Sequence, residues 1–272
     1  MTETLSLRAK IEQSPMGAYQ WMIVVMAAIM NLLDGFDVLA LAFTATAIRG
    51  EFGLTGIELG YLLSAGLFGM TAGSLFLAPL ADKIGRRPLL LMAVSLSAIG
   101  MLGSAFISQY QWLGFWRVIT GLGVGGILVG TNVITSEYSS RKWRSFAISV
   151  YAAGFGIGAV LGGMFAVMLQ GEYGWRSVFL AGAILTGLLL VVLFIWLPES
   201  IDFLTSKQPK NAEVRLNLIA KKIGLAGDWK LPEKAEKIKT KLPISQLFSE
   251  KYLHSTLLIW TAFFAIMFSF YF

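Results

Sequence analysis

Asn31-Leu32-Leu33-Asp34-Gly35-Phe36-Asp37 sets two carboxylates inside an apolar run that extends from about Tyr19 to Ile48. A run of that length reads as a membrane-spanning helix, and an ionisable group at such depth is costly. A passive anchor has no use for two. At i, i+3 spacing Asp34 and Asp37 share a helix face, and Asn31 extends the polar stripe by a turn. Such a stripe is expected to face a water-filled cavity or an opposite charge, on an ion or substrate pathway. The competing reading is a helix end that dips its acids into the headgroups.

Composition supports the membrane reading. Of 272 residues, 56% are hydrophobic and 14% charged, against about 25% charge in soluble domains. The chain has no cysteine, which excludes disulfides and thiolate metal sites, and its one histidine, His254, leaves no imidazole cluster for a metal. The net charge of +6 is not spread as a nucleic-acid face requires, so no nucleic-acid partner is expected. The first apolar segment is too long for a cleavable signal and lacks a small-residue cleavage site.

Apolar segments of spanning length recur at roughly 19–48, 59–80, 89–107, 111–136, 146–169, 177–197 and 253–272. Of the 22 lysines and arginines, all but Arg49, Arg117 and Arg176 precede the first segment or follow the second, fourth and sixth. That asymmetry predicts a multi-pass protein with a cytoplasmic N-terminus over 1–18, a six-helix transmembrane bundle over 19–197, a cytoplasmic loop over 198–252 and a seventh transmembrane helix over 253–272. Within the loop, residues 212–224 put Leu216, Ile219 and Ile223 on one side and basic residues on the other. The pattern suits a helix on the anionic inner leaflet or a solvated linker helix. The last apolar segment stops without a polar exit, which reads as an incomplete chain with one full six-helix unit; a native seven-span protein is the alternative.

The connection after the second segment reads Leu80-Ala81-Asp82-Lys83-Ile84-Gly85-Arg86-Arg87-Pro88. Gly85 permits a tight turn, and Asp82 is within reach of Arg86. The fourth segment carries Arg117-Val118-Ile119-Thr120-Gly121-Leu122-Gly123-Val124-Gly125-Gly126, and the fifth carries Gly154, Gly158, Ala159, Gly162 and Gly163. These stretches resemble the signatures of the major facilitator superfamily; Ala78 stands where its loop motif has Gly. The resemblance implies an all-α membrane protein, the N-terminal six-helix bundle of that fold with 3+3 inverted repeats, joined by a cytoplasmic linker to a seventh helix. It implies that Asp82, Gly85, Arg86 and Arg87 form a conformational gate. Glu137, ahead of Arg141 and Arg144, fits salt bridging at the same gate. Facilitator antiporters carry Pro where Ala159 stands, which favours a symporter. The glycines of the second and fifth segments read by default as close helix packing.

At 1.5 Å per residue, Arg117 lies roughly 9 Å below the outer surface and Asp34 roughly 22 Å up a core of about 30 Å, so the two are near one level. A buried arginine calls for an anion, which Asp34 or Asp37 can supply. Gly121 and Gly125 continue the Arg117 face, clearing space for a substrate or a neighbouring helix. Asp34-Gly35-Phe36-Asp37 further resembles the D-G-x-D signature of the aromatic acid:proton symporter family. That resemblance implies proton-coupled uptake of benzoate-like acids across the bacterial inner membrane, with Asp34 and Asp37 accepting the proton. Arg117 then binds the substrate carboxylate, or pairs with an aspartate until protonation frees it, and Asn31, Gly121 and Gly125 complete the substrate-facing set. Its partners are an aromatic carboxylate, a proton, the lipid bilayer and the C-terminal six-helix half; the proton gradient replaces any cofactor. A porter for sugars or other organic anions and a non-transporting sensor or binding half-unit are the alternatives. No nucleophile–base pair or metal cluster suggests an enzyme.

Overall fold

The computed structural model describes residues 6–231 and 248–271, which are helical apart from short connections. Residues 1–5, 232–247 and 272 lie outside the described residues, and with them Lys234, Lys237, Lys239 and Lys241 of the long basic connection. In chain order the helices are α1 (Leu7–Gln13), α2 (Ala18–Phe52), α3 (Gly56–Ile84), α4 (Arg86–Ala105), α5 (Tyr110–Tyr138), α6 (Arg144–Tyr173), α7 (Trp175–Trp196), α8 (Ile201–Lys207), α9 (Ala212–Lys222) and α10 (Glu250–Tyr271). Six of them, α2 to α7, are long and apolar enough to cross a membrane. Residues 6–231 form one unit; α10 belongs to a second and is a single 22-residue helix.

The helices run past the apolar segments that announce them. α2 continues to Phe52, through Arg49 and Glu51, and its 35 residues make it about 50 Å long against a hydrocarbon core of about 30 Å. Local chemistry ends it. Gly53 turns out of the helix at φ +63°, and Thr55 opens α3 with a reciprocal cap in which the Glu58 carboxylate accepts from Thr55 N–H at 2.8 Å.

Backbone-to-backbone contact holds the bundle together. A Cβ at Gly69 or Gly73 of α3 would overlap the Val118 or Leu122 carbonyl of α5, and a Cβ at Gly121 or Gly125 would overlap the Gly66 or Met70 carbonyl in return. The same lock joins α2 and α6, where Gly154 and Gly158 meet the Ala28 and Leu32 carbonyls and Gly35 meets that of Phe155. Without side chains between them the helix axes close up, which in lipid replaces the hydrophobic drive between helices. α4 packs on α5 and α7, and α2 on α7. Exchanging α2–α4 with α5–α7 maps these pairings onto one another: α2/α6 onto α5/α3, α4/α5 onto α7/α2. That exchange is the mark of a 3+3 repeat.

Three short helices close one end of the bundle. Leu7 and Ile11 of α1, Ile201 and Leu204 of α8, and Leu216, Ile219 and Ile223 in and just after α9 share a buried cluster with Tyr138, Leu193 and Leu197. The apolar side of 212–224 is therefore spent on the bundle, a correction to its expected place on a leaflet or in a solvated linker; packing against an already apolar helix end buries more of it than a headgroup layer would. α1 is tied down by charge as well. Arg8 pairs with Asp202, Arg144 with Glu12 at 2.6 Å, and Arg141 N–H donates to the Glu12 carbonyl at 3.0 Å. The Arg144 hydrogen bond, with Arg8 and Arg141 nearby, holds the Glu12 carboxyl below its ordinary range.

Two outcomes follow from this packing. Gly158→Val, which forces a branched side chain into the α2 backbone, should destabilise the bundle by at least about 1–3 kcal/mol, whereas Gly156→Val, with open space around it, should stay within about 0.5 kcal/mol of wild type; thermal unfolding in detergent, followed by intrinsic tryptophan fluorescence, separates them. Because the Glu12 carboxyl is depressed in the folded state, its contribution is present above the usual carboxylate range and lost as pH falls through the folded value. Glu12→Gln should therefore loosen α1 at pH 7, and the difference from wild type should fade only as the pH falls below the usual carboxylate range through the depressed folded value, read as amide exchange over residues 6–14.

Candidate functional site

α2 delivers its polar stripe into the bundle, away from hydrocarbon. Asp34 and Asp37 are each 2% exposed and Asn31 3%, because the stripe falls on the side of α2 that also carries Met30 and Leu41. The three side chains then part company. Asn31 Nδ2 donates to the Tyr151 carbonyl of α6 at 2.8 Å, so this amide fastens α2 to α6. Asp37 Oδ2 accepts from Ser97 Oγ of α4 at 2.6 Å. Asn31 Oδ1, Asp34 Oδ2 and Asp37 Oδ1 are buried with no hydrogen-bond partner. Unpaired acceptors of this kind are expensive where no water reaches.

Arg117, 3% exposed, points from α5 toward α4 and α7. Its Nη2 donates to Ser104 Oγ at 2.8 Å, to the Gly100 carbonyl at 3.3 Å and to Met101 Sδ at 3.2 Å, and Nε donates to Ser104 Oγ at 3.3 Å. The Phe179 ring of α7 lies under the guanidinium at 4.8 Å. The expected ion pair is thus not a contact pair. Among the described residues no carboxylate oxygen comes within 4.0 Å of an Arg117 nitrogen. Charge–charge interaction couples Arg117 to Asp37, and Asp37 to Asp34. The hydrogen bonds to Arg117 come from neutral groups of α4.

Gly121 and Gly125 need correcting as substrate contacts, since the space their missing side chains leave is filled by the α3 backbone. Of the two neighbours left open for them, the helix is the one present. Phe36 is core, filling the space over Gly162 and Gly182, and Tyr61 is 72% exposed, away from the acids.

The residues expected to form a gate gather at the end of the bundle that α1, α8 and α9 close. Arg86 Nη2 donates to Asp82 Oδ1 at 2.7 Å, as the spacing suggests. Gly85 adopts φ +106°, and its lack of a side chain lets the Glu199 carboxylate approach. There Glu199 Oε1 accepts from the backbone N–H groups of Arg86 at 2.8 Å and Arg87 at 3.0 Å, an acid set on the open N-terminus of α4. Arg87 Nη2 donates to the Phe194 carbonyl at 2.6 Å. Glu137 does not bridge to Arg141 or Arg144. It accepts instead from Ser200 Oγ at 2.9 Å and Ile201 N–H at 2.9 Å, capping α8, while Arg144 belongs to Glu12. The partly buried Arg144 finds Glu12, the one acid of α1; a buried carboxylate at a helix N-terminus finds orphan amides. A cavity of about 250 Å³ lies beside Asp82, Arg86, Glu137, Ser200, Asp202 and Lys207.

Ser97, Ser104, Phe179 and Glu199 are the partners that sequence reasoning missed. Ser97 and Ser104 stand seven residues apart on one face of an apolar helix, which is a usable signal; Phe179 carries none. Among the described residues no group of three acidic or imidazole side chains is placed to hold a metal.

Comparison with known proteins agrees with this architecture. A family model for the Major Facilitator Superfamily matches residues 27–272. A gallate transporter of Pseudomonas putida is 34% identical over 254 residues, which cover 93% of this chain and 57% of that protein. The 4-hydroxybenzoate transporter PcaK of the same organism is 33% identical over 265 residues, 96% of this chain and 59% of that protein. The chain thus spans less than two thirds of the length of these relatives. In structure it is similar to the xylose transporter XylE from E. coli in a partially occluded inward open conformation, with a TM-score of 0.66 and 22% identity over 74% of this chain and 55% of that one, a likeness of fold alone. The matched family model, the repeated packing of α2–α4 and α5–α7 and the six spanning helices have one conclusion: this multi-pass membrane chain belongs to the Major Facilitator Superfamily.

Proposed function

We propose that the chain is the N-terminal portion of a carrier that couples proton entry to uptake of aromatic carboxylic acids, alternating access around a midplane site. The observation that carries the reading is the pair of buried acids, each with an unpartnered carboxylate oxygen, one of which, Asp37, interacts electrostatically with a buried arginine, Arg117. An unpaired buried carboxylate that gains a proton loses its desolvation cost, so a proton is the natural ligand for such oxygens. Protonation of Asp37 also removes the charge that Arg117 feels, leaving the guanidinium to an incoming carboxylate. Relatives named as gallate, 4-hydroxybenzoate and benzoate transport proteins support the benzoate-like substrate class. The proposal includes a second six-helix half, with α10 as the first helix leading to it, an inner-membrane location and a cytoplasmic N-terminus, since the basic connections lie where the positive-inside rule puts the cytoplasm. Asp82, Gly85, Arg86 and Arg87, with Glu199 and Glu137, would then form the inner gate.

The test is uptake of labelled 4-hydroxybenzoate into proteoliposomes holding the complete carrier, driven by an inside-alkaline pH gradient. Wild type should concentrate the acid and lose the concentration on adding a protonophore. Asp34→Asn should cut proton-driven accumulation by about tenfold or more. Failure of benzoate, gallate and 4-hydroxybenzoate to compete with one another, or full pH-driven accumulation by Asp34→Asn, would overturn the reading.

A further inference from the structure

α4 supplies the contacts that the acids of α2 and the arginine of α5 do not make with each other. Buried hydroxyls in apolar helices ordinarily donate back to their own helix, as Thr44 does to the Ala40 carbonyl, Thr131 to that of Ile127 and Thr135 to that of Thr131. Ser97 departs from this. Its hydroxyl leaves the Ala93 carbonyl one turn back and donates across to Asp37 Oδ2 at 2.6 Å. With Oδ2 occupied, Asp37 Oδ1 is the oxygen left without a partner, and it faces Gly182 of α7, where a Cβ would stand 3.3 Å away.

Two turns along the same face, Ser104 does the complementary job. Its one proton goes to the Gly100 carbonyl at 2.7 Å, so its lone pairs are turned to Arg117, which donates from Nη2 and Nε. The Gly100 carbonyl accepts from Nη2 as well. Gly100 has no room for a side chain, because Thr120 of α5 lies against it. Between the two serines Met101 touches Arg117 with its sulfur, and its methyl fills the space over Gly182. Seven residues of helix separate Ser97 from Ser104 by about 10 Å. One helix thus grips the acid at one point and the base at another, with a thioether between them.

We propose that α4 is the positioning helix of proton coupling: Ser97 orients the Asp37 carboxyl so that Oδ1 takes the proton, and Ser104 with the Gly100 carbonyl holds Arg117 short of a contact ion pair with it. This rests on the coupling role given above to Asp37. In the protonated state Oδ1 carries the hydrogen and Oδ2 becomes the carbonyl oxygen that keeps accepting from Ser97, so one proton is gained and no existing bond is lost. The charged groups facing Asp37 are Asp34 on its own helix and Arg117 on α5. A contact pair with Arg117 would bind the ionised carboxylate and resist the neutralisation that symport needs. Ser97 and Ser104 are positioning residues, acting on the proton site through Asp37 and Arg117.

Two measurements on the complete carrier test this, and one needs no substrate. Infrared difference spectra between acidic and alkaline buffer should contain a protonated carbonyl band that Asp37→Asn removes. Ser97→Ala should move that band to higher frequency, because the carbonyl loses its donor, and Ser97→Thr should return it. In proteoliposomes Ser97→Ala should lose about tenfold in proton-driven accumulation while exchange of labelled for unlabelled 4-hydroxybenzoate stays within about twofold of wild type; Ser97→Thr should restore accumulation. An Asp37 band indifferent to Ser97→Ala overturns the proposal even if aromatic acids prove not to be substrates. Equal loss of exchange and accumulation at normal protein levels also overturns it, since that is what a merely structural serine would do. Absence of transport by wild type, with the band shift present, counts against the substrate reading alone.

Discussion

A charge inside a lipid-embedded bundle must be met by protein, and this molecule meets two of its buried charges, Asp37 and Arg117, with one neighbouring helix. Asp37 and Arg117 are not neutralised by touching. Each is held by a hydroxyl of α4, and the arginine has in addition a backbone carbonyl and an aromatic face. The remaining attraction acts through space, in surroundings where it falls off slowly. Such an arrangement tolerates both charge states of the acid, because neither the serine contact nor the Phe179 face depends on whether the carboxyl is ionised.

The glycine locks make that arrangement possible. Where α3 and α5, and α2 and α6, approach until backbone meets backbone, the remaining sides of α2 and α5 are pressed toward α4 and α7. The polar side chains occupy the interior that results. Asn31 belongs to this layer, since its amide donates to the α6 carbonyl beside the α2/α6 lock. The same economy appears at the closed end, where Glu199 and Glu137 meet the free amides of the α4 and α8 N-termini. Glu12, Asp82 and Asp202 at that end pair with arginines instead.

Much of the fold is legible in the chain because membrane insertion imposes a coarse code. Apolar runs of spanning length and the sorting of basic residues define six helices and their alternation, and small residues at four-residue spacing mark where helices close up. The acids and Arg117 stand out for the same reason, as charges where charge is costly. Boundaries are less legible, because α2 and α5 continue into polar residues that a search for apolar runs stops at. The surface that 212–224 covers is also ambiguous in sequence, since the amphipathic pattern shows an apolar side without showing whether lipid or protein meets it.

Depth, charge sign and the identity of the charged residues were thus determined by the sequence itself, since hydropathy and residue spacing are local quantities. Partners were decided by tertiary structure. Whether Gly121 clears a path for a ligand or for the α3 backbone, whether Glu137 bridges to Arg144 or caps α8, and whether Arg117 touches an aspartate or a serine depend on the rotation of each helix about its axis. Packing against several neighbours at once sets that rotation, and it has no signature within a single helix.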